Sequence, residues 1–382
     1  MSGVCSKSKV LVAMSGGVDS SVAAALLQEQ GYEVVGCFMR LGSDDSVEGE
    51  ACDPNAYDPD RVRPGHQGCC SLDDASDARL VASMLGVPFY VLNFKRDFDR
   101  VIDYFVDEYN RGRTPNPCIR CNHWLKFGRL ADYARSIDAD FVATGHYARV
   151  DRDGGRARLM CGRDREKDQS YVLFTTPAAL LEHIMLPIGR HTKREVRRIA
   201  EEKGLPVFDK PDSQEICFVP DTDYARLVRR RSPETVREGN ILDHEGTVIG
   251  RHPGHQHFTI GQRRGISVSL GHPIYVTDKN AETNTITVAP ASETFADTLV
   301  ADETNWLRPP PSRPMPCLAR IRYNAAAVPA TVVAESDTMT VRFDEPQRAI
   351  SPGQAVVCYE DDELIGGGWI RDVEGTKQDV AR

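Results

Sequence analysis

Ala13-Met14-Ser15-Gly16-Gly17-Val18-Asp19-Ser20-Ser21 follows the apolar run Val10-Leu11-Val12-Ala13 and precedes Val22-Ala23-Ala24-Ala25-Leu26-Leu27. The order reads as a strand, a Gly/Ser turn and a helix. A turn of this kind aims backbone N–H groups and a helix N-terminus at one point, which suits a phosphate. The two glycines allow close backbone approach, and Ser15, Ser20 and Ser21 add hydroxyl donors. Asp19 is out of place in a bare anion site. It makes sense where a divalent cation bridges a carboxylate to phosphates.

The stretch lacks the Gly-Lys-Ser/Thr ending of a P-loop and the G-x-G-x-x-G of a dinucleotide fingerprint. Ser-Gly-Gly-x-Asp-Ser instead resembles the signature of the PP-loop ATP pyrophosphatases. Those enzymes cleave ATP between the α and β phosphates and place AMP on an oxygen, turning it into a leaving group. The bland alternative is an ordinary glycine-rich turn.

Outward from this loop, residues 1 to about 210 alternate strand and helix. Strands are expected at Lys9–Ala13, Glu33–Met39, Pro88–Leu92 and Asp140–Thr144. Helices are expected at Ser20–Gln30, at Asp73–Leu85, through Phe98, Val101, Ile102, Phe105 and Val106, and at His123–Ala134. Thr192-Lys193-Arg194-Glu195 reads as a capping box opening a helix that stops at Gly204. Alternation predicts an α/β, doubly wound parallel sheet covered on both faces, with ligands at the carboxyl ends of its strands. From 211 to 290 the chain is rich in Gly, His and Pro, with short strands such as Thr247–Gly250 and Ile274–Thr277. After the proline-rich stretch 309–316, alternating runs at Cys317–Tyr323, Ala330–Ala334, Met339–Phe343 and Ala355–Tyr359 predict a small β-barrel or sandwich. The expected domains are 1–210 catalytic, 211–290 central and 291–382 barrel. Residues 42–70 have little periodicity and read as a long, partly disordered excursion.

The 382-residue chain has the composition of a soluble globular protein and no apolar run long enough to span a bilayer, so no membrane partner is expected. Its N-terminus enters a strand with no signal-peptide pattern, so a cytoplasmic location is expected. There the eleven cysteines should be mostly reduced. The net charge of −9 argues mildly against a nucleic-acid partner. However, Arg190, Lys193, Arg194, Arg197, Arg198, Arg229, Arg230, Arg231, Arg263 and Arg264 make a basic band that reads either as a solvated face or as an RNA-facing surface.

Asn116-Pro117-Cys118-Ile119-Arg120-Cys121 holds a C-x-x-C at a proline-stiffened entry to a helix, with Arg120 beside it to favour thiolates. Cys217 stands alone in Ser213-Gln214-Glu215-Ile216-Cys217-Phe218, and Cys69-Cys70 form a further pair. A structural zinc site drawing on Cys69-Cys70 is the alternative reading. Cys5, Cys37, Cys161, Cys317 and Cys358 read as small core or surface residues. A site that activates oxygen, together with thiols that can carry sulfur, points to conversion of C=O into C=S.

Ordered motifs along nearly the whole chain then carry a resemblance. They are Met14–Ser21, Gly112–Asn122, Thr144-Gly145-His146-Tyr147-Ala148, Lys167-Asp168-Gln169-Ser170-Tyr171, Leu186-Pro187-Ile188-Gly189, Lys210-Pro211-Asp212-Ser213, Ile216-Cys217-Phe218, Thr259-Ile260-Gly261-Gln262-Arg263, Arg320-Ile321-Arg322-Tyr323 and Pro352-Gly353-Gln354. The chain resembles the tRNA-specific 2-thiouridylases of the MnmA type. The resemblance implies adenylation of the 2-carbonyl oxygen of wobble uridine 34, with ATP and Mg²⁺, and displacement of AMP by sulfur from a relay protein. It implies tRNA as partner, through the anticodon stem-loops of Glu, Gln and Lys acceptors.

It also assigns residues. ATP would be bound by Ala13, Met14, Ser15, Gly16, Gly17, Val18, Asp19, Ser20 and Met39, with Gly145 on the adenine side. Cys217 would carry a persulfide and Cys121 would be the second catalytic thiol. Asn116, Pro117 and Cys118 would meet the target base. His146, Lys167, Asp168, Gln169, Arg322, Tyr323 and Gln354 would contact tRNA. Some members carry Asp where this chain has Cys118. With three thiols, Cys118, Cys121 and Cys217 could instead hold a 4Fe–4S cluster with one open iron. Two rival readings are a PP-loop enzyme acting on a metabolite without RNA, and a zinc-stabilised RNA-binding protein without catalysis.

Overall fold

The computed structural model describes residues 7–42, 72–212, 216–219 and 223–374. Cys5, Cys69-Cys70 and most of the 42–70 excursion lie outside these residues. Two compact units divide the chain. The first comprises residues 1–101, 118–222 and 362–364, and the second 102–117, 223–361 and 365–382.

The first unit is built on β1 (Lys9–Ala13), α1 (Val18–Glu29), β2 (Glu33–Arg40), α2 (Leu72–Leu85) and β3 (Phe89–Asn93), followed by α3 (Lys95–Asn110), whose second half lies in the other unit. After α4 (Pro117–Cys121) the helix continues as a π-helical segment, Asn122–Arg129, and then as α5 (Leu130–Ser136). Next come β4 (Phe141–Ala143), the hairpin β5 (Ala148–Asp151) and β6 (Arg158–Cys161), β7 (Ile184–Met185) and α6 (Lys193–Glu202). The sheet runs β3-β2-β1-β4-β7 and every pairing is parallel. Val10, Leu11 and Val12 are all fully buried, so both faces of β1 are covered, as a parallel sheet with helices on each side requires. The core joins Val10, Val12 and Met14 to Val22 and Leu27 of α1, Val81 of α2 and Val196 of α6. Strand order reverses between β1 and β4, which makes the crevice above their carboxyl ends the expected ligand position.

The capping box is present. Thr192 Oγ1 accepts from the Glu195 amide at 3.3 Å, and the Glu195 carboxylate accepts from the Thr192 amide at 2.7 Å. The predicted helix His123–Ala134 is corrected to the π segment plus α5, because the ladder here shifts from i+4 to i+5 pairing.

The second unit holds α7 (Tyr224–Arg231) and a four-stranded sheet ordered β10-β11-β8-β9, from β8 (Gly239–Leu242), β9 (Val248–His252), β10 (Tyr275–Asn280) and β11 (Thr285–Ala289). Ile241, Phe258, Val276, Ile286 and Val288 form its core. Six further strands follow: β12 (Phe295–Trp306), β13 (Met315–Arg320), β14 (Val328–Glu335), β15 (Thr338–Arg348), β16 (Ala355–Glu360) and β17 (Glu363–Glu374). They pair in the order β12-β15-β14-β13-β16-β17, and β12 also pairs with β17, closing a barrel. Alternate residues Met339, Val341 and Phe343 of β15 point into its core, beside Leu299 and Val332.

Candidate active site

The Gly/Ser loop Met14–Ser21 leaves β1 at its carboxyl end. Ser15 N–H donates to Ser20 Oγ (3.0 Å), and the Ser20 and Ser21 hydroxyls donate to Gly17 O at 3.2 and 2.9 Å. These bonds fold Ser15–Ser20 into a closed turn over the first turn of α1, whose leading N–H groups have no helical acceptor. Gly16 has φ +77°, and a Cβ there would lie 2.2 Å from Asp74 O. No other residue fits that position. Met14 and Val18 are buried supports of the loop, at 1% and 3% exposure. Lys210 Nζ closes its back, donating to Gly16 O (3.0 Å), Asp74 (2.7 Å) and Asp77 (2.6 Å).

The neighbouring strand brings the second loop to the same place. Val12 of β1 is in register with Ala143 of β4, so Thr144-Gly145-His146 emerges beside Ala13-Met14-Ser15. A Cβ on Gly145 would sit 2.7 Å from both Asp19 C and Ser20 N. Gly145 therefore lies directly on the backbone at the start of α1. Met39 lies two residues past Cys37, the register partner of Ala13, at the same sheet edge.

The same loop meets the thiol-bearing helix. His146 Nε2 lies 3.4 Å from Lys126 Nζ, Nδ1 lies 2.6 Å from Thr144 Oγ1, and the ring is 6.2 Å from that of Phe127. Burial, with help from Lys126, pushes the imidazole well below its ordinary pKa, so it is neutral near pH 7. A lysine ammonium only donates, which assigns Nε2 as acceptor and leaves Nδ1–H to donate to Thr144. Lys126 and Phe127 follow Cys121 by five and six residues, in the π-helical segment that continues the thiol-bearing helix. Cys118 is exposed and Cys121 half-buried, three residues apart and so on one helix face. Asn122 Nδ2 donates to Val172 O at 3.0 Å, anchoring the helix just past Cys121. Cys217 is half-buried in the same unit, and its neighbour Phe218 packs edge-on against Phe98 at 5.6 Å.

Asp19 anchors a chain of charges. Its Oδ1 accepts from Tyr147 OH (2.7 Å), and Lys193 Nζ donates to both its oxygens at 2.9 and 2.8 Å. Lys193 also pairs with Asp212 Oδ1 (2.7 Å), which takes Arg197 (2.9 Å), while Asp212 Oδ2 takes Lys167 (2.9 Å). Burial alone would raise the Asp212 pKa, but Lys193 and Lys167 overcome it and hold it at about 2. A carboxyl held below its unfolded value stabilises the fold above roughly pH 4, and that contribution fades as pH falls toward the folded value. The stability gap between wild type and Asp212→Asn should therefore be constant above pH 5 and shrink below pH 4. Denaturant unfolding across pH 2.5–7 checks this.

Other expected site residues take different positions. Lys167 is partly exposed, with a side-chain accessibility of 43%. Asp168 is buried and accepts from Gly162 N–H, Ser170 N–H and Ser170 Oγ, so it shapes its own loop. Gln169 Oε1 accepts from Tyr147 N–H at 2.9 Å. In the second unit, Arg322 donates to Arg348 O (2.6 Å), and the Arg320 guanidinium lies 5.7 Å from the Tyr323 ring. Gln354 Nε2 donates to Thr114 O (2.9 Å) and Pro115 O (3.3 Å), just before Asn116 and Pro117.

The basic band is not one uniform surface. Lys193 and Arg197 turn inward to acids, and Arg190 pairs with Asp151 at 2.5 Å, while Arg194, Arg263 and Arg264 are exposed. Cys37, Cys161 and Cys358 are buried, and burial pushes the Cys37 thiol up to about 12. Among the described residues no three His, Cys, Asp or Glu side chains converge as a metal-binding group. Cys118, Cys121 and Cys217 do not converge as such a group. The sequence offers no site role for Tyr147 or Asp212, and Lys193 stands there only in the basic band. The one available signal was that each lies in or beside a quoted motif.

Family models match the three parts of the chain in order: a tRNA methyl transferase HUP domain at residues 8–221, a tRNA methyl transferase PRC-barrel domain at 228–290 and an aminomethyltransferase beta-barrel domain at 296–370. Similar proteins include the tRNA-specific 2-thiouridylase MnmA of Carboxydothermus hydrogenoformans, 49% identical over 96% of this chain and 98% of the relative. The protein of the same name from Clostridium perfringens is 47% identical over 96% of this chain and 99% of its own, and that from Geotalea uraniireducens is 45% identical over 98% of both. With such identity along almost its full length, the chain belongs to the MnmA family of tRNA-specific 2-thiouridylases.

Proposed function

We propose that the protein thiolates the wobble uridine of tRNA at C2 through an adenylated intermediate. Family membership supports the overall reaction. The observation that carries the mechanism is the contact path from the thiol helix through Lys126, Phe127 and His146 to Gly145 and the nucleotide loop.

ATP would sit over Ser15–Ser20, with Met39 and Gly145 toward the nucleoside. One carboxylate plus phosphate oxygens and water is a donor set that suits Mg²⁺, and Asp19 is that carboxylate. When bound, the ion supplies charge neutralisation for the departing pyrophosphate. The uridine O2 attacks the α phosphorus and pyrophosphate leaves. A persulfide on Cys217, loaded by a sulfur-relay protein, attacks C2, and AMP departs with the former carbonyl oxygen. The Cys121 thiolate then attacks the Cys217 sulfur of the mixed disulfide. This frees 2-thiouridine and leaves a Cys121–Cys217 disulfide, which a cellular thiol reduces.

The base must leave the anticodon stack to reach the thiols. Asn116, Pro117 and Cys118 would meet it, and Lys167 would take a phosphate. His146, Asp168 and Gln169 would hold the loops on which RNA bears, with Arg322, Tyr323 and Gln354 as further RNA contacts. The 1–210, 211–290 and 291–382 division, with RNA held by the barrel, is part of the same proposal. Among the described residues no helix is long and apolar enough to cross a membrane. A cytoplasmic setting fits the tRNA substrate.

The reading is tested by incubating unmodified tRNA with the protein, ATP, Mg²⁺ and a persulfide donor, then analysing nucleosides by mass spectrometry. ATP-dependent 2-thiouridine is expected. Its absence, together with ATP–pyrophosphate exchange driven by a metabolite without RNA, would favour the small-molecule reading.

A further inference from the structure

We propose that Lys193 and Asp212 couple the RNA side of the site to the nucleotide side, so that tRNA and ATP·Mg²⁺ each strengthen the other's binding. The inference rests on the function proposed above and adds a regulatory device to it.

The charges lie in a row whose outer end is accessible. Lys167 is the outermost member, with 43% side-chain accessibility, and Lys193 the most enclosed, with 13%. Lys193 is shared, with its ammonium within 3 Å of both Asp19 and Asp212. Arg197 cannot shift in its place, because its guanidinium is also tied to Phe208 O (2.8 Å) and Lys210 O (2.9 Å). Lys193 is a compact charge on a flexible stem and can move between two carboxylates. The members are partly buried, so salt screens them less than surface pairs.

An RNA phosphate that takes Lys167 removes one of the three cations on Asp212. The uncompensated charge on Asp212 then draws Lys193 away from Asp19. Asp19 is left open to the Mg²⁺ that accompanies ATP. In the other direction, Mg²⁺ on Asp19 repels the Lys193 ammonium toward Asp212, which loosens the hold of Asp212 on Lys167 and offers that lysine to RNA. Thermodynamic linkage makes the two effects equal in size. Lys193 and Asp212 are positioning residues in this scheme.

The test measures, on the full chain, the Kd of an α,β-methylene ATP analogue with Mg²⁺, with and without saturating unmodified tRNA, and the Kd of tRNA with and without the analogue. About tenfold tightening is expected in both directions, within the usual range for such coupling. Asp212→Asn should bring both factors to about one while each ligand still binds alone. Lys167→Met at the half-exposed end should do the same at saturating tRNA, and Lys167→Arg should restore the effect, which a merely structural role would not predict. Should Asp212→Asn fail to fold, the Lys167 pair decides. If both ligands bind the wild type without affecting each other, or if the folded variants keep the wild-type factor, the coupling is wrong. If tRNA does not bind at all, the proposed function fails and the coupling with it.

Discussion

Cys217→Ser is expected to lower 2-thiouridine formation by at least about a thousandfold, the scale on which loss of a nucleophile is felt. A serine oxygen cannot hold the transferable sulfur atom, so no persulfide forms and the adenylate has nothing to displace AMP. ATP and tRNA should bind within about twofold of wild type, because the substitution changes one atom in a half-buried side chain. AMP should still form slowly in the presence of tRNA, by hydrolysis of the stranded adenylate. Trapping Cys217 as a persulfide in the wild type, by alkylation and peptide mass spectrometry after treatment with a sulfur donor, completes the test. Thiolation by the Ser variant at even a tenth of the wild-type rate would remove Cys217 from the chemistry.

Asp19→Ala should lower AMP formation about 10²- to 10³-fold, comparable to loss of a single preorganised electrostatic contact in other enzymes. The fold should survive with a moderate loss of stability. Lys193 retains Asp212 at 2.7 Å, so the main cost is the acceptor lost by the hydroxyl of the buried Tyr147, about 1–3 kcal/mol. Binding of tRNA should persist, because Asp19 belongs to the nucleotide loop. AMP and pyrophosphate are quantified against tRNA binding in the same preparation. Undiminished adenylate formation would show that the carboxylate does not serve the phosphates.

Both expectations rest on elements that differ in how plainly the sequence announces them. The first strand is legible to the residue, Lys9–Ala13, because a short apolar run ends in a Gly/Ser turn that cannot continue it. The capping box at Thr192 is equally local. The π-helical stretch after Cys121 is not legible, since i+5 pairing has no side-chain signature distinct from a helix. Strands β12 and β17, which close the barrel, escape pattern reading for separate reasons. Register shifts at Val300/Ala301 and Asp302/Asn305 break the alternation of β12. Gly366-Gly367-Gly368 leaves β17 without side chains where a two-residue period would show. In the site, the contiguous loop Ala13–Ser20 was readable as one unit. The Asp19–Lys193–Asp212–Lys167 chain was not, because its members are up to 193 positions apart and only the fold brings them together. The basic band misled in part for the same reason, since charge along a sequence does not say whether a cation faces solvent or an acid.

The most direct measurement follows one oxygen atom. A tRNA anticodon stem-loop carrying ¹⁸O at O2 of uridine 34 is incubated with the protein, unlabelled ATP, Mg²⁺ and a persulfide donor, and the products are analysed by mass spectrometry. If the nucleotide loop and the thiols act in turn on the same carbonyl, each 2-thiouridine formed is matched by one AMP bearing a single ¹⁸O. Unlabelled AMP with ¹⁸O released to water, while 2-thiouridine accumulates, would contradict adenylation of the uridine oxygen.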